Sequence, residues 1–252
     1  MQLEGKRILI TGASTGMGYA IARALGEKGC YVALLARSED KLRTLAKEIQ
    51  NDGGQAIVLP VDIQDSAAVK QAVQKASRDM GGLDVLIANA GVGILKPAHK
   101  IALHHVDKMV DVNLKGAMYA LLAGLEIMLE QGGGQLVGVS SLASYRGLPQ
   151  SSVYSATKAA LSSFLESLRV EYANKNIRVT TICPGYIKTP MTEGVKMAMP
   201  MVLEADVAAA MIIKAIEKEK KVYGFPWPMH WGVKLLRALP NGLYDVLARL
   251  AF

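Results

Sequence analysis

The residues best suited to chemistry begin at Thr11-Gly-Ala-Ser-Thr-Gly-Met-Gly18. Its glycines, at 12, 16 and 18, reach unusual backbone angles and, lacking a Cβ, let another group approach the main chain closely. A helix opening at this turn presents unpaired N–H groups and the positive end of its dipole, which suits a pyrophosphate. Three residues rather than one separate the first two glycines, so the turn departs from G-x-G-x-x-G; tight packing of a strand on a helix is the other reading of the same residues. Arg37 follows Ala36 at the end of an apolar run, where a bound dinucleotide sets its adenosine ribose. An acid there would accept from the 2′-OH, whereas a guanidinium matches a 2′-phosphate. The pattern points to NADP(H) over NAD(H), with a solvated arginine before the next helix as the alternative. Ser140-Ser141 ends a later apolar run, and Tyr154 and Lys158 stand four apart on one helix face, a spacing that ordinary surface pairs share.

Each of these groups needs an element to hold it. Ile8-Leu9-Ile10 reads as a strand entering the glycine turn, and Tyr19 to Leu25 as the helix leaving it. Tyr31–Ala36 and Gln55–Val61 read as buried strands, each followed by a helix, Glu39 to Gln50 and Ser66 to Arg78. Asp62 closes the third strand, either as a loop or capping residue or beside an adenine at the carboxyl edge. Leu83–Ala88 is a fourth strand running into the small-residue turn Asn89-Ala-Gly-Val-Gly93. A long helix lies within Leu103 to Glu130, with Asn113 in its middle, where its side chain competes for backbone hydrogen bonds and needs compensation by solvent or by a role. Gln135–Val139 is a fifth strand, Tyr145 to Gln150 a loop, and Ser151 to Asn174 the helix carrying Tyr154 and Lys158. Alternation of this kind predicts a Rossmann-like, doubly wound parallel sheet flanked by helices, one α/β domain over residues 1–252 that binds its ligand at the carboxyl edge.

Composition narrows the function classes. Half of the 252 residues are hydrophobic, which excludes a disordered chain. The net charge of +7 is scattered among acids rather than gathered into a run, which reads as a solvated surface and not a nucleic-acid site. Cys30 and Cys183 each sit in an apolar stretch, as buried free thiols of a reducing compartment do. With no signal-peptide pattern and no uninterrupted apolar stretch of membrane-spanning length, a cytoplasmic protein is expected. His99, His104 and His105 cluster without a cysteine or acid at metal-ligand spacing, so no metal site is expected. Ser140-Ser141 lacks the G-x-S-x-G elbow of a serine hydrolase.

Taken together, residues 5 to 190 resemble the short-chain dehydrogenase/reductase family in its single-domain branch. Thr11–Gly18 looks like the family's cofactor turn, Asn89-Ala-Gly91 like its structural turn, Pro184-Gly185 with Ile187 and Thr189 like its nicotinamide segment. The resemblance implies a catalytic set of Asn113, Ser141, Tyr154 and Lys158. It implies a cofactor set of Gly12, Ser14, Thr15, Gly16, Met17, Gly18, Arg37, Asp62, Ile63, Asn89, Ala90, Gly91, Pro184, Gly185, Ile187 and Thr189, together with Tyr154 and Lys158. Tyr154 would be the acid that protonates a developing alkoxide, its pKa lowered by Lys158, which also holds the nicotinamide ribose. Ser141 would donate to the substrate oxygen, and Asn113 would anchor a water linking Lys158 to solvent. The expected reaction interconverts a carbonyl and an alcohol, in a homodimer or homotetramer built through the helices around Asn113 and Tyr154.

Beyond residue 190 the pattern thins. Met191 to Met201 holds methionines at 191, 197, 199 and 201, ahead of a helix near Glu204; in the family this region is a substrate lid, and its thioethers suit either an apolar substrate or ordinary core packing. Val222-Tyr-Gly-Phe-Pro-Trp-Pro-Met-His-Trp231 leads into two amphipathic segments, Gly232 to Ala238 and Leu243 to Phe252. This extension is expected to cover the substrate pocket or make a subunit contact, with docking on a membrane surface as the alternative.

Overall fold

The computed structural model describes residues 1–193 and 199–251. The chain alternates strand and helix: β1 (Arg7–Thr11), α1 (Gly16–Glu27), β2 (Tyr31–Ala36), α2 (Glu39–Asn51), β3 (Gln55–Pro60), α3 (Ser66–Met80) and β4 (Val85–Ala88). After β4 come α4 (Leu103–Val110), a π turn over Asp111–Gly116, α5 (Ala117–Glu130), β5 (Gly134–Val139), α6 (Ser152–Glu171) and β6 (Ile177–Pro184). A ribbon of β7 (Ile187–Lys188) and β8 (Leu203–Glu204) precedes α7 (Ala205–Glu217), β9 (Val222–Phe225), α8 (Trp227–Ala238) and α9 (Asn241–Ala251). Seven strands form a parallel sheet in the order β3-β2-β1-β4-β5-β6-β9. This is the doubly wound arrangement expected from the sequence, carrying the amphipathic helical extension at its end.

The pleat of β1 shows how one strand serves two layers. Ile8 and Ile10 point into the layer holding Ile21 and Leu25 of α1, Leu42 and Ile49 of α2 and Ile212 of α7. Leu9, between them, points the other way, into Val69 and Val73 of α3, Leu121 of α5 and Leu165 of α6. All three β1 side chains are fully buried, and each contributes about 1.5 to 3 kcal/mol through burial. A shift of one residue would exchange the two sets, so the register is fixed by both layers at once.

The helical run Leu103–Glu130 is long and apolar enough to cross a membrane by length and composition, although Asp107, Lys108, Asp111, Lys115 and Glu126 interrupt its apolar residues. Here Met109, Leu121, Leu125 and Met128 are buried, and Asp111 pairs with Lys115 at 2.9 Å on the open side, as in a core helix of a folded domain. Most differences from the sequence reading are at element ends: β4 starts at Val85 rather than Leu83, because Leu83 donates its N–H to Gln131 Oε1 at 3.1 Å instead of entering the ladder. Cys30 and Cys183 are buried and unpaired.

Candidate active site

At the carboxyl end of β1 the chain turns through Gly12 at φ +71° and Gly16 at φ +58°, both in the left-handed region. A Cβ on Gly12 would come within 2.8 Å of Ala90 Cα, and one on Gly18 would strike the carbonyl oxygen of Gly12. These two glycines therefore let the turn pack on itself and on the start of the β4 loop. The turn also serves as a cradle, because Thr15, preceding α1, makes no side-chain cap and leaves the first-turn N–H groups for an anion.

The ends of β1 and β4 are pinned side by side. Thr11 Oγ1 accepts from the backbone N–H groups of Asn89 and Ala90, each at 3.0 Å, and Asn89 Nδ2 donates to Thr11 O at 3.0 Å. Between them opens a cavity of about 650 Å³ that reaches from Arg37, Asp62 and Ile63 past Gly12–Gly18 and Asn89–Gly91 to Ser141, Tyr154, Lys158, Pro184, Gly185, Ile187 and Thr189. Its size falls in the range of small-molecule sites, about 300 to 1,000 Å³. All expected cofactor residues line it, and of the expected catalytic residues only Asn113 stands behind its wall. Open N–H groups, a cationic rim at Arg37 and small residues along the floor fit a dinucleotide phosphate.

Arg37 is exposed on that rim, next to Ala36, and forms no ion pair among the described residues. Asp62 accepts from Gln64 N at 3.0 Å and Gln64 Nε2 at 3.2 Å, so it closes a local turn, while Asp65 caps α3 by accepting from Ala68 N. Asp62 still faces the cavity beside Ile63.

On the opposite wall, β5 and α6 bring the reactive groups together. Ser140 and Ser141 differ sharply. Ser140 Oγ is buried, donating to Lys158 O at 2.9 Å and lying 2.7 Å from Ser162 Oγ, and so fastens α6 to β5. Ser141 Oγ accepts from Ala143 N at 3.1 Å, donates to Pro184 O at 3.5 Å, and lines the cavity together with Tyr154. Burial raises the pKa of Tyr154 above the usual tyrosine value, with the Ser141 contact pulling the other way. The expectation that Lys158 lowers it is not met in this structure: Lys158 Nζ lies 5.8 Å from the centre of the Tyr154 ring and donates to Val139 O at 2.8 Å. Burial depresses Lys158 itself to about 8. Tyr154 is thus held as a neutral phenol, a proton donor.

Asn113 sits in the π turn and is fully buried. Its Oδ1 accepts from Val92 N at 2.7 Å, and its Nδ2 donates to Val92 O at 2.9 Å and to Thr157 Oγ1 at 3.2 Å. The compensation that a mid-helix asparagine requires is therefore protein: the carboxamide clamps the loop after β4 to α6. Asn113 acts through its neighbours, as a positioning residue.

Beyond Tyr154 the cavity becomes apolar, lined by Leu95, Leu142, Leu148, Met191, Met229 and Val233. Leu95 and Leu148 come from loops without sequence periodicity, and no local pattern marks them. Met191 lies where a lid was expected, with its Sδ 3.2 Å from a Cβ built on Gly93; Met197 lies outside the described residues, and Met201 is exposed. Met229 and Val233 project from α8, so the C-terminal extension forms part of the cavity wall.

A parallel sheet with a phosphate cradle at its switch point and a phenol, hydroxyl and ammonium across the cavity defines a nucleotide-dependent oxidoreductase of the doubly wound class. The short chain dehydrogenase family model matches residues 6–199. An uncharacterized oxidoreductase of Myxococcus xanthus is 36% identical over 248 residues, covering 98% of each chain. A ketoacyl reductase, HetN, of Nostoc sp. is 34% identical over 86% of this chain and 77% of its own. Among solved structures, a short chain dehydrogenase from Burkholderia cenocepacia in complex with NADP superposes with a TM-score of 0.80 at 29% identity, covering 89% of this chain and 97% of that one. The chain belongs to the short-chain dehydrogenase/reductase family, and is an oxidoreductase of the kind acting on CH–OH and C=O groups.

Proposed function

We propose that this protein is an NADP(H)-dependent reductase of apolar ketones, working also in reverse on secondary alcohols. The reading is carried by one observation: the phenol of Tyr154, whose pKa burial raises, lines with Ser141 and Lys158 the cavity floored by the glycine turn. NADPH, when bound, supplies the hydride. Tyr154 gives its proton to the carbonyl oxygen as charge develops there, and Ser141 holds that oxygen by a hydrogen bond. Lys158 keeps a positive charge behind the phenol and helps return the proton. Arg37, exposed beside Ala36 and without a carboxylate partner among the described residues, favours a 2′-phosphate, and the solved relative holding NADP supports that choice. The leucines and methionines around the inner cavity, with the ketoacyl reductase among the relatives, support an apolar substrate such as an acyl-chain ketone.

Nucleotide consumption across a panel of aliphatic, aromatic and acyl-chain ketones tests the activity. Tyr154→Phe removes the proton and is expected to lower turnover by about 10² to 10⁴ while leaving NADPH affinity nearly unchanged. A Phe variant as active as wild type removes Tyr154 from proton transfer. We further propose that the whole chain works as one cytoplasmic domain and pairs with a second copy through the helices around α5 and α6. Exposed Leu122, Leu129 and Val170 support that pairing.

A further inference from the structure

Helices α8 and α9 present two faces of opposite character. On α8 the inward side carries Met229 and Val233 at the cavity and His230, whose Nε2 lies 3.0 Å from the Tyr145 hydroxyl. The outward side carries Trp227, Trp231 and Leu235, one helical turn apart, at 73%, 63% and 67% exposure. No residue of α8 is buried. The next helix repeats the arrangement: Arg146 holds it from the body through Asn241 Oδ1 at 2.9 Å and stacks 4.3 Å over the Tyr244 ring, while Leu243, Val246 and Leu247 point to solvent. Polar anchoring on one side leaves an aromatic and aliphatic stripe on the other side of α8 and an aliphatic one on α9.

The charges around that stripe decide what covers it. Lys234 sits 4.9 Å over the Trp231 ring and Arg249 is exposed on α9, with Asp245 as the one acidic side chain of the two helices, while Arg237 turns inward over the Tyr145 ring at 5.9 Å. A second copy related by a two-fold axis would bring these cations against their own equivalents. Tryptophan beside lysine and arginine on an amphipathic helix instead fits the headgroup level of a bilayer, where the ring lies at the apolar boundary and the cation meets lipid phosphate. We propose that the exposed faces of the consecutive helices α8 and α9 dock this protein on the surface of a membrane containing anionic lipid. Docking places α8, whose inward side walls the cavity through Met229 and Val233, at the membrane surface, and it does not rest on the apolar-substrate reading.

Both tryptophans of the chain lie on this stripe, so its intrinsic emission reports the proposed face alone. Full-length protein is mixed with vesicles of phosphatidylcholine, with or without about a third phosphatidylglycerol. The expected result is sedimentation with the anionic vesicles at low salt, release at high salt, a blue shift of emission, and quenching by brominated acyl chains. Lys234→Glu, a change of two charge units, is expected to lower partitioning about twenty-fivefold, at about fivefold per unit of charge, and Trp227→Ser with Trp231→Ser by about tenfold or more. Wild-type protein left in the supernatant with unshifted emission overturns the proposal. Equal binding to neutral vesicles overturns the assignment of lipid class. Emission already blue without lipid, moving red on dilution, overturns it in favour of a second copy. Ketone turnover is not read in any of these measurements, so their failure is separable from failure of the proposed reaction.

Discussion

Burying an ammonium against an apolar wall costs stability, and Lys158 bears that cost where a surface lysine does not. Its pKa falls from 10.5 to about 8 because burial disfavours the charged form. Below the folded value the side chain is charged in both states, and folding is opposed by about 3 kcal/mol. Between pH 8 and 10.5 the unfolded chain binds more protons, so the penalty is relieved as pH rises. Without nucleotide, Lys158→Met should therefore unfold at higher urea concentration than wild type at pH 7, the gap narrowing toward pH 10. A variant less stable than wild type at pH 7 would mean that the hydrogen bond to Val139 outweighs desolvation. The spacing of Tyr154 and Lys158 was legible as a shared helix face, but burial was not, because it depends on β5 and on the loop after β4. The two adjacent serines make the same point: both end the same strand, and only the position of α6 separates the fastener, Ser140, from the hydroxyl beside the phenol, Ser141.

At the scale of elements, the π turn over Asp111–Gly116 widens a helix whose apolar pattern runs through it unbroken, so the sequence reads as one long helix. The extra width places Asn113 against Val92 and Thr157. Asn113→Leu keeps the branching at Cγ but leaves the part-buried N–H and C=O of Val92 without their side-chain partner, and is expected to cost about 3 kcal/mol or more in urea unfolding. Thr157→Val, which removes two hydrogen bonds, one from Asn113 Nδ2 and one to Tyr154 O, should cost about 1 to 2 kcal/mol. Similar losses would show that water replaces the clamp. Strands β1 to β5 were visible as apolar runs bounded by turn residues, and β6 only as the apolar stretch around Cys183. The edge strand β9 was not: its four residues include a glycine and stop at Pro226, and they read as part of the tail. Its place comes from pairing with β6, where Ile182 stands opposite Tyr223. In the same way, the amphipathic character of α8 was legible, while the use of Met229 and Val233 as cavity wall follows from where β9 delivers that helix.

Across the whole molecule, the proposed nucleotide would touch segments from the end of β1 to the ribbon after β6, and so would tie together both halves of the sheet. Ligand at about 100 times its Kd adds about 2.7 kcal/mol to folding stability. If Arg37 grips a 2′-phosphate through a charge-assisted contact of about 1.5 to 3 kcal/mol, NADPH should raise the melting temperature by about 5 °C more than NADH at equal saturating concentration. Arg37→Asp should erase that difference, as a thermal scan would show; equal shifts in wild type would assign Arg37 to the solvated surface. The opening itself arises where α1 leaves β1 toward one layer while the helices near β4 fill the other, with Thr11 and Asn89 pinning the parting strands. It is therefore a by-product of winding and not a hollow carved by its lining. Residues along its inner walls are free to be exchanged one after another, redrawing which guest is accepted, without the scaffold coming undone.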